Sequence, residues 1–580
     1  MSDIYLQFNF NTDNRTPRQI GFRNPLSIVT THCVEEVIPA IQRLQDAQDS
    51  GYYAAGYIAY EAASAFDPAL KTQPTTGPLL WFGIFSEPSF SPLEANDDLC
   101  ISEWKPETSQ VEYEQNIEQI REAIACGETY QVNLSTRLRA DFKGDPTCLY
   151  TRLKDCRNGD YLALLDMGGQ VIVSFSPELF FSVNNGRIRV CPMKGTAPRG
   201  RWRAEDLLNA ERLHCSEKEQ AENVMIVDLM RNDLGRIAIP GSVNVTELFR
   251  IEQYPTVWQM TSSIEANLQP DTKLEQILKA LFPCGSVTGA PKVTAMGRIA
   301  GMEHSPRGVY CGAVGYIEPN GNSIFNVAIR TASFNRGTHE AEYGAGGAVT
   351  WDSTPIGEYA EMISKTELLT SEHFPDFELL ESMLLENGNI YLEGQHIQRM
   401  NSSADYFQIP FSEQKALAAL EKKRLAHPMG SWKLRMLLNR DGEVKIECEP
   451  LKPYPVEPVT AVLSQQPVDS SSKWLYHKTT NRTLYEQQRL NYPHMFEVLM
   501  QNERGELTEF LQGNLMLKLE GVLYTPPLDC GLLPGVMRTE LLTSGALQER
   551  VLYPSDLPDA EGVWLVNSIR KSVRVELSGW

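Results

Sequence analysis

The sequence predicts an α+β fold of antiparallel sheets with helices between and around their strands. Asn-Gly and Asp-Gly pairs favour two-residue hairpin turns, and they separate apolar, strand-like segments at Asn185-Gly186, Asn320-Gly321, Asn387-Gly388 and Asp441-Gly442. Helical patterns lie between these hairpins without a regular strand–helix–strand alternation. The mixture therefore indicates α+β rather than an alternating parallel arrangement.

Two helices have clear patterns. The first is predicted to end before Gly127, and its apolar positions at helical spacing are Ile117, Ile120 and Ile124. The second is predicted to end at Gly235, and its expected apolar face consists of Ala221, Val224, Met225 and Leu229.

Length, charge and cysteine content set limits on the function. The 580 residues correspond to about four domains of ordinary size. The formal net charge of −21 argues against nucleic acid or an anionic membrane as a partner, because both carry phosphates. The 11 cysteines include no C-x-x-C pair, the first residues carry no secretory signal and no apolar run could cross a bilayer, so a cytoplasmic protein is expected.

A break in the pattern predicts the domain boundary. Residues 370–377 read TSEHFPDF, which interrupts the periodic pattern with a proline and polar side chains, and a new hairpin begins at Glu378. We therefore expect two domains, residues 1–371 and 372–580.

Two pairs of glutamates in the first domain have the spacing of one helix face. Glu219 and Glu222 are three residues apart, and Glu358 and Glu361 repeat that spacing. Carboxylates suit a hard cation, so the two pairs could converge on one Mg²⁺ ion. Taken alone, such pairs more often belong to a solvated helix surface.

Glycine-rich and cationic segments accompany these glutamates. Gly344–Ala348 is a run of small residues whose amides can approach a carboxylate closely, and Gly289–Lys292 is a tight turn with a cation. Alternation places Arg330 opposite the apolar face of a strand over Ala328–Thr331, from which it can clamp a carboxylate. Each segment also fits an ordinary turn or strand edge.

Together these segments resemble the chorismate-utilising enzymes, a family that includes anthranilate, isochorismate and salicylate synthases and component I of aminodeoxychorismate synthase. The resemblance implies a fold of antiparallel sheets with surrounding helices. The matching stretches run in the family order: Gly127–Ser135, Ser176–Phe180, Pro192–Thr196, Lys218–Gly235, Gly285–Lys292, Tyr310–Gly315, Ala328–Thr331 and Gly344–Lys365.

The resemblance assigns the chemistry to three residues. Lys194 stands where aminodeoxychorismate-forming members carry Lys and the other synthases usually carry Ala. Its amine would attack carbon 2 of chorismate while Glu178 protonates the departing 4-hydroxyl, and ammonia entering at carbon 4 would displace the lysine. Gln131 stands where water-adding members carry a Lys base, which favours ammonia as the incoming group.

By the same resemblance, further residues bind the metal and the substrate. Glu222 and Glu361 correspond to direct Mg²⁺ ligands, and Glu219 and Glu358 act directly or through water. The substrate-binding positions are Gln131, Ser286, Tyr310, Arg330, Gly346, Gly347 and Lys365.

Three residues and one missing motif depart from a complete synthase. Met193 replaces the usual Ile, Asn223 stands where anthranilate synthases often have His, and Cys284 stands where Gly is frequent in this subfamily. No glutaminase motif such as Gly-x-Cys-x-Gly occurs in the sequence. The family pattern therefore implies that a separate glutamine amidotransferase subunit supplies the ammonia.

The second domain carries a different set of reactive residues. Lys478 lies in a basic segment, and of the two nearby carboxylates Glu509 suits a site better than Glu506, which is typical of a turn. Gly531–Arg538 predicts a turn leading into a helix N-terminus, which presents free amides to a phosphate. These features together indicate pyridoxal 5′-phosphate, although a plain α+β binding module also fits.

This domain resembles the fold-type IV pyridoxal-phosphate enzymes, which include branched-chain and D-amino acid aminotransferases and aminodeoxychorismate lyase. The resemblance implies that Lys478 carries the cofactor and that Glu509 faces its pyridine nitrogen. It assigns the phosphate to Arg399 and to the amides of Val536 and Met537. Ser382 corresponds to a hydroxyl position that the lyases use. The usual Glu-Gly-Ser-x-Ser-Asn run is replaced by EFLQGN over residues 509–514.

The order of the two resemblances implies one reaction sequence. Aminodeoxychorismate is the product of the first reaction and the substrate of the lyase, which releases pyruvate and leaves 4-aminobenzoate for folate biosynthesis. The resemblance also admits a homodimer formed through the second domain. Two alternatives remain: an anthranilate synthase component I-like enzyme fused to a pyridoxal-phosphate aminotransferase, and a C-terminal domain that is a non-catalytic interaction module.

Overall fold

The chain divides into two compact units in a computed structural model that describes residues 4–12, 16–90, 98–154, 160–366, 369, 376–452 and 458–579. Unit 1 comprises Met1–Pro198 and Ala210–Phe374, and unit 2 comprises Arg199–Asn209 and Pro375–Trp580. The predicted boundary at residues 371–372 lies outside the described residues. No helix in the described part of the chain is long and apolar enough to cross a membrane.

Unit 1 is built from two large antiparallel sheets. Its strands are β1 (Tyr5–Asn11), β2 (Pro17–Arg23), β3 (Ser27–Thr31), β4 (Tyr53–Ile58), β5 (Leu80–Phe85), β6 (Cys100–Ile101), β7 (Lys105–Pro106), β8 (Gln131–Lys143), β9 (Tyr161–Asp166), β10 (Gln170–Ser176), β11 (Leu179–Asn184), β12 (Arg187–Cys191), β13 (Met193–Pro198), β14 (Asn244–Gln253), β15 (Val257–Asn267), β16 (Gly289–Ala290), β17 (Ala313–Ile317), β18 (Ser323–Val327), β19 (Thr331–Asn335) and β20 (Glu340–Val349).

The strand order shows how each sheet contributes to the interior. The first sheet runs β16-β8-β20-β19-β10-β9-β1-β2, with β6 and β7 also paired to β8. The second runs β13-β15-β12-β11-β18-β17-β4-β5-β3, with β14 also paired to β15. Aromatic side chains of both sheets meet in one buried cluster, where the Phe8 and Tyr316 rings lie 5.3 Å apart. The two sheets therefore share an apolar core.

The four predicted hairpin turns are confirmed. Asn185-Gly186 joins β11 to β12, and both residues have positive φ, which Asn and Gly tolerate best. Asn320-Gly321 joins β17 to β18, and the other two pairs make turns in unit 2. The mixture of helices and antiparallel sheets confirms the predicted α+β class.

The helices pack on these sheets and on those of unit 2. In chain order they are α1 (Val34–Asp49), α2 (Ala63–Phe66), α3 (Gln110–Ala125), α4 (Thr147–Lys154), α5 (Arg203–His214), α6 (Glu217–Gly235), α7 (Leu274–Leu281), α8 (Lys292–Met302), α9 (Pro355–Ser364), α10 (Glu393–Phe407), α11 (Glu413–Ala426), α12 (Thr483–Asn491) and α13 (Val536–Thr543).

Both helices predicted from apolar spacing exist, but the buried face predicted for α6 is wrong. Helix α3 buries Ile117 and Ile120 as expected. In α6, Val224 is 38% exposed, whereas Asn223 is buried. The inward-facing amide of Asn223 is paired, because the Ser262 hydroxyl donates a 2.6 Å hydrogen bond to its Oδ1. The face that the helix buries is formed by Ile226, Val227, Met230 and Leu234, which are also apolar residues at helical spacing.

Unit 2 contains a small antiparallel sheet and a closed barrel. Its strands are β21 (Leu379–Glu386), β22 (Asn389–Ile390), β23 (Ser431–Leu438), β24 (Val444–Pro450), β25 (Val459–Leu463), β26 (Glu497–Gln501), β27 (Leu507–Phe510), β28 (Gly513–Leu519), β29 (Val522–Thr525), β30 (Gln548–Glu549), β31 (Gly562–Asn567) and β32 (Lys571–Leu577).

The barrel closes where β27 meets β28. The small sheet has the order β22-β21-β23-β24, and the larger one runs β27-β26-β25-β32-β31-β28-β29-β30. Because β27 also pairs with β28, six strands form a ring around an apolar core. Glu509 and Asn514 are register partners at this closure, so both are held between paired strands.

Candidate active sites

Lys194 lies on β13, at the edge of the second sheet of unit 1. The side chain is half-buried, and its Nζ donates a 3.5 Å hydrogen bond to the carbonyl of Ser286. Burial lowers the pKa of Lys194, although the nearby Glu222 and Glu178 carboxylates oppose that shift. A lowered pKa increases the fraction of free amine, which is the nucleophilic form.

Glu178 lies in the turn between β10 and β11, close to Lys194. The carboxyl is buried, and this burial raises its pKa to about 7, against the effects of Ser286 and Lys194. Cys284 places its Sγ 3.9 Å from Glu178 Oε1 and 3.2 Å from the Ser286 hydroxyl. A carboxyl with this pKa is partly protonated at neutral pH, so Glu178 can act as a general acid.

Gln131 is the first residue of β8 and is completely buried. Within the described parts of the chain, neither polar atom of its carboxamide has a hydrogen-bond partner. Buried amides are nearly always paired, because an unpaired one costs about 1–3 kcal/mol. The unpaired amide therefore indicates a place where a ligand or water completes the hydrogen bonding.

Gly346 and Gly347 lie on β20, facing Lys365 and the acidic side of α9. A Cβ added to Gly347 would lie 2.8 Å from Glu358 Oε2 and 3.8 Å from Lys365 Nζ. Lys365 donates a 2.7 Å hydrogen bond to the carbonyl of Gly346 and pairs with Glu361 at 2.8 Å. The bare glycine thus keeps a space open between a cation and two carboxylates.

Tyr310 and Arg330 lie in connections rather than within strands. The Tyr310 ring packs against Gly344, where any Cβ would approach the ring to 2.3 Å. The strand predicted through Arg330 is wrong: β18 ends at Val327, and Arg330 has a φ of +51° before β19 begins. The chain turns here because β18 belongs to the second sheet and β19 to the first.

The four glutamates proposed for Mg²⁺ lie on α6 and α9. Burial raises the pKa of Glu219, and the neighbouring Glu222 and Glu361 raise it further. Burial also raises the pKa of Glu358. Burial would likewise raise the pKa of Glu361, but Lys365 outweighs it and lowers that pKa. The carboxylates are ligands of the type that Mg²⁺ prefers, although no three acidic, His or Cys side chains among the described residues are gathered tightly enough to hold a metal ion. Their convergence on a metal stays a prediction.

In unit 2, Lys478 lies among charged groups beside β21. The Leu380 amide donates a 2.9 Å hydrogen bond to the Lys478 carbonyl, which fixes the backbone there. Burial lowers the pKa of Lys478 to about 8, and the guanidinium groups of Arg399 and Arg482 contribute to the shift. At this pKa roughly a tenth of the amine is unprotonated at pH 7, far more than for an ordinary lysine.

Glu509 is buried at the barrel closure. Tyr485 Oη donates to its Oε1 at 2.9 Å, and Asn514 Nδ2 donates to its Oε2 at 3.0 Å. Burial raises the pKa of Glu509 to about 7, and Lys478 is close enough to oppose that shift. Glu506, the other candidate carboxylate, instead pairs with Arg504 at 2.8 Å.

Arg399 connects a buried carboxylate to the predicted phosphate turn. Its Nε and Nη2 donate to Glu381 at 2.8 and 2.6 Å, and its Nη1 donates to the Pro534 carbonyl at 3.2 Å. Val536 and Met537 are the first residues of α13, where backbone amides have no partner within the helix. Ser382 follows Glu381 on β21, and its carbonyl accepts a 3.5 Å hydrogen bond from Ser568.

In comparisons with known proteins, two consecutive parts of the chain match two different families. Residues 91–371 match the chorismate binding enzyme family, and residues 378–577 match amino-transferase class IV. The chain therefore carries a chorismate-binding domain followed by a class IV aminotransferase domain.

Curated relatives match the chorismate-binding domain. Aminodeoxychorismate synthase component 1 of Salmonella typhimurium is 40% identical over 264 residues, which are 46% of this chain and 58% of that protein. The Escherichia coli protein of the same name is 38% identical over 283 residues, 49% of this chain and 62% of that protein. Anthranilate synthase component 1 of Aquifex aeolicus is 40% identical over 266 residues, 46% of this chain and 53% of that protein. The chain thus spans less than two thirds of each of these three relatives.

Solved structures support the fold of the same domain. Anthranilate synthase component I from Streptococcus pneumoniae aligns with a TM-score of 0.51 and 26% identity over 64% of this chain and 92% of that chain. A putative 2,3-dihydroxybenzoate-specific isochorismate synthase from Bacillus anthracis aligns with a TM-score of 0.53 and 21% identity, over 64% of this chain and 97% of that one. The second likeness concerns the fold alone.

The sequence reasoning missed two residues that stabilise the candidate site of unit 1. Asn223 Nδ2 donates a 3.4 Å hydrogen bond to the Lys194 carbonyl. Arg307 donates to the carbonyls of Val287 and Asn133, both at 2.7 Å, and so joins the Ser286 turn to strand β8. Asn223 differs from the residue that anthranilate synthases often have, but a polar residue is not expected on the apolar face of α6. Arg307 belongs to no recognisable spacing.

In the aminotransferase domain, the interactions of Glu381 with Arg399 and His396 predict that folding stability falls in acid. Burial alone would raise the pKa of Glu381, but Arg399 and His396 outweigh it and lower the pKa to about 2. The stabilisation of the folded state is therefore fully present when the pH is above 4.5, the pKa of this carboxyl in the unfolded chain, and it is lost as the pH falls towards 2. It amounts to roughly 3 kcal/mol.

We expect denaturant unfolding of Glu381→Gln to show a lower free energy than wild type at pH 6. The difference should shrink steadily as the pH falls from 4.5 to 2.5. Curves that stay parallel over that range would exclude this pair as the source of the pH dependence.

Proposed function

We propose that the chain converts chorismate to 4-aminobenzoate in two steps. The chorismate-binding domain replaces the 4-hydroxyl of chorismate with ammonia to give 4-amino-4-deoxychorismate, and the aminotransferase domain then eliminates pyruvate. The observation that carries the proposal is the half-buried Lys194 with a lowered pKa, close to the buried acid Glu178. The relatives named aminodeoxychorismate synthase component 1 support this choice.

In the first step, the electron pair of Lys194 Nζ forms a bond to carbon 2 of chorismate. Both ring double bonds shift, the bond from carbon 4 to its hydroxyl breaks, and Glu178 supplies the proton that converts the hydroxyl to water. Ammonia adds at carbon 4, both double bonds return to their first positions and the bond from carbon 2 to Lys194 breaks. The unpaired amide of Gln131 can bind a ligand in this site but cannot deprotonate water, which favours ammonia over water as the nucleophile.

Binding of the substrate carboxylates requires positively charged groups and hydrogen-bond donors. Lys365, Arg330, Tyr310, the Ser286 hydroxyl and the open backbone at Gly346 and Gly347 are the proposed binding groups. Mg²⁺ held by Glu219, Glu222, Glu358 and Glu361 would supply positive charge facing a substrate carboxylate.

In the second step, Lys478 Nζ, once it is no longer bonded to the cofactor, removes the proton from ring carbon 4. The bond from carbon 3 to the enolpyruvyl oxygen breaks, the side chain leaves as pyruvate and the ring becomes aromatic. Pyridoxal 5′-phosphate, held through Lys478, would act as the electron sink for this proton loss. Glu509, which accepts hydrogen bonds from Tyr485 and Asn514, would hold a proton at the pyridine nitrogen. Arg399 and the amides of Val536 and Met537 would bind the phosphate, and Ser382 would contact the substrate.

We further propose that a separate glutamine amidotransferase subunit supplies the ammonia and that the product enters folate biosynthesis. We also propose that the protein acts in the cytoplasm and that the second domain can form a homodimer.

An anthranilate synthase component I-like reaction is the main alternative, because relatives with that name are equally similar in identity.

One assay tests the proposed function. The full chain is incubated with chorismate, Mg²⁺, ammonium and pyridoxal 5′-phosphate, and the products are separated by chromatography. We expect pyruvate and 4-aminobenzoate in equal amounts, with 4-amino-4-deoxychorismate accumulating when the cofactor is omitted. Formation of anthranilate would contradict the proposal, and accumulation of 4-amino-4-deoxychorismate with the cofactor present would leave the second domain as an interaction module.

A further inference from the structure

A short segment that lies within residues 91–371 in sequence, the part that matches the chorismate binding enzymes, belongs to unit 2 in the structure. Arg199–Asn209 groups with Pro375–Trp580, although residues 91–371 match the chorismate-binding family. The segment is braced by the buried Asp206, which accepts hydrogen bonds from Arg199 Nε at 2.7 Å and from the Gly200 amide at 2.9 Å. A buried, bidentate Arg–Asp pair holds the segment in one conformation.

The segment holds Tyr406, which in turn supports His477. Tyr406 Oη donates a 2.8 Å hydrogen bond to the Gly200 carbonyl, and Arg199 Nη2 donates to the Tyr406 carbonyl at 2.9 Å. The Tyr406 ring lies against the His477 imidazole with their centroids 4.2 Å apart. His477 is buried and accepts or donates a 2.9 Å hydrogen bond with Ser403.

The segment also contacts Tyr476 directly. The Trp202 and Tyr476 rings are 5.0 Å apart, and Arg201 Nη1 donates a 3.3 Å hydrogen bond to Tyr476 Oη. The same arginine pairs with Asp529 at 2.5 Å, shortly before the Leu533–Gly535 turn. Both residues that precede Lys478 are thus supported from Arg199–Asn209.

We propose that Arg199–Asn209 is a positioning element for the Lys478 site of unit 2. The direction of the Lys478 side chain depends on its backbone, and that backbone is held by Tyr476 and His477 on one side and by the Leu380 amide on the other. An error of about 1 Å in a reacting group can cost a factor of about 100. The second proposed activity therefore depends on residues of the first family match, which an isolated domain 372–580 would lack.

The proposal rests on the proposed function for the cofactor whose binding is measured, whereas backbone exchange tests it independently of that function. Three variants of the full chain separate positioning from general stability. Trp202→Ala removes the ring on Tyr476, Trp202→Phe keeps an aromatic ring there, and Leu207→Ala alters an exposed residue of the same segment. Tyr406→Phe is a milder variant that removes only the hydroxyl bonded to Gly200.

For Trp202→Ala, we expect the dissociation constant for pyridoxal 5′-phosphate to rise about tenfold, measured by equilibrium dialysis. Hydrogen–deuterium exchange of residues 470–482, measured without cofactor, should accelerate. Trp202→Phe and Leu207→Ala should stay within about twofold of wild type, as should ammonium-dependent consumption of chorismate in all variants. Tyr406→Phe should shift binding and exchange in the same direction as Trp202→Ala, by less.

Wild-type binding and exchange in Trp202→Ala would overturn the proposal, and so would an unfolded Trp202→Ala together with an unchanged Tyr406→Phe. If the wild type binds no pyridoxal 5′-phosphate, the proposed lyase function fails. The exchange of residues 470–482 then decides the positioning role by itself.

Discussion

Replacing Lys194 with alanine is expected to reduce formation of 4-amino-4-deoxychorismate by about 10³-fold, the scale on which removal of a catalytic group usually acts. Without the amine, no bond forms at carbon 2, and ammonia must displace a poor leaving group directly at carbon 4. Loss of a half-buried cation also leaves Glu178 and Glu222 with less compensating charge. The measurement is the rate of 4-amino-4-deoxychorismate formation at saturating ammonium, with chorismate consumption followed in parallel.

Lys279→Ala is the matched control, because Lys279 is an exposed lysine on α7 of the same unit. The control should keep wild-type rates. If Lys194→Ala retains more than about a tenth of the wild-type rate while remaining folded, Lys194 acts by positioning or charge and not as the nucleophile.

Local features of the fold could be predicted from the sequence because short-range chemistry determines them. Asn185-Gly186 makes a hairpin turn because both residues tolerate positive φ, and Ile117 and Ile120 of α3 are buried because their spacing matches one helix face. The glycine run at Gly344–Ala348 could be identified from its small residues alone, whereas the roles of Glu178 and Lys194 came from family resemblance, which carries long-range information that spacing does not.

The remaining features depend on contacts between distant residues. Arg330 has positive φ because the chain passes there from one sheet to the other, and no local pattern marks that passage. Helix α6 carries apolar residues on more than one face, and the face with Ile226 and Met230 is buried. Asn223 on this face is paired with Ser262, a partner 39 residues away that no local pattern indicates. Arg199–Asn209 joins unit 2 across more than 160 residues of chain, so sequence order alone assigns it to the wrong unit.

Replacing Lys478 with alanine is expected to leave the first reaction intact and to stop the second. The variant should accumulate 4-amino-4-deoxychorismate from chorismate and ammonium, while 4-aminobenzoate formation falls by about 10³-fold because no base remains at ring carbon 4. The visible absorbance of pyridoxal 5′-phosphate bound to the lysine should also disappear. Chromatography of the products and an absorbance spectrum of the purified variant measure both effects.

Lys422→Ala is the control for this variant, because Lys422 is an exposed lysine on α11 of the same unit. It should retain both the spectrum and the product ratio. Two outcomes would distinguish cofactor binding at Lys478 from catalysis by Lys478. Loss of the spectrum with unchanged 4-aminobenzoate would mean that cofactor binds at Lys478 but serves another reaction. An unchanged spectrum would mean that another group holds the cofactor, and the lowered pKa of Lys478 would then reflect only its burial beside Arg399 and Arg482.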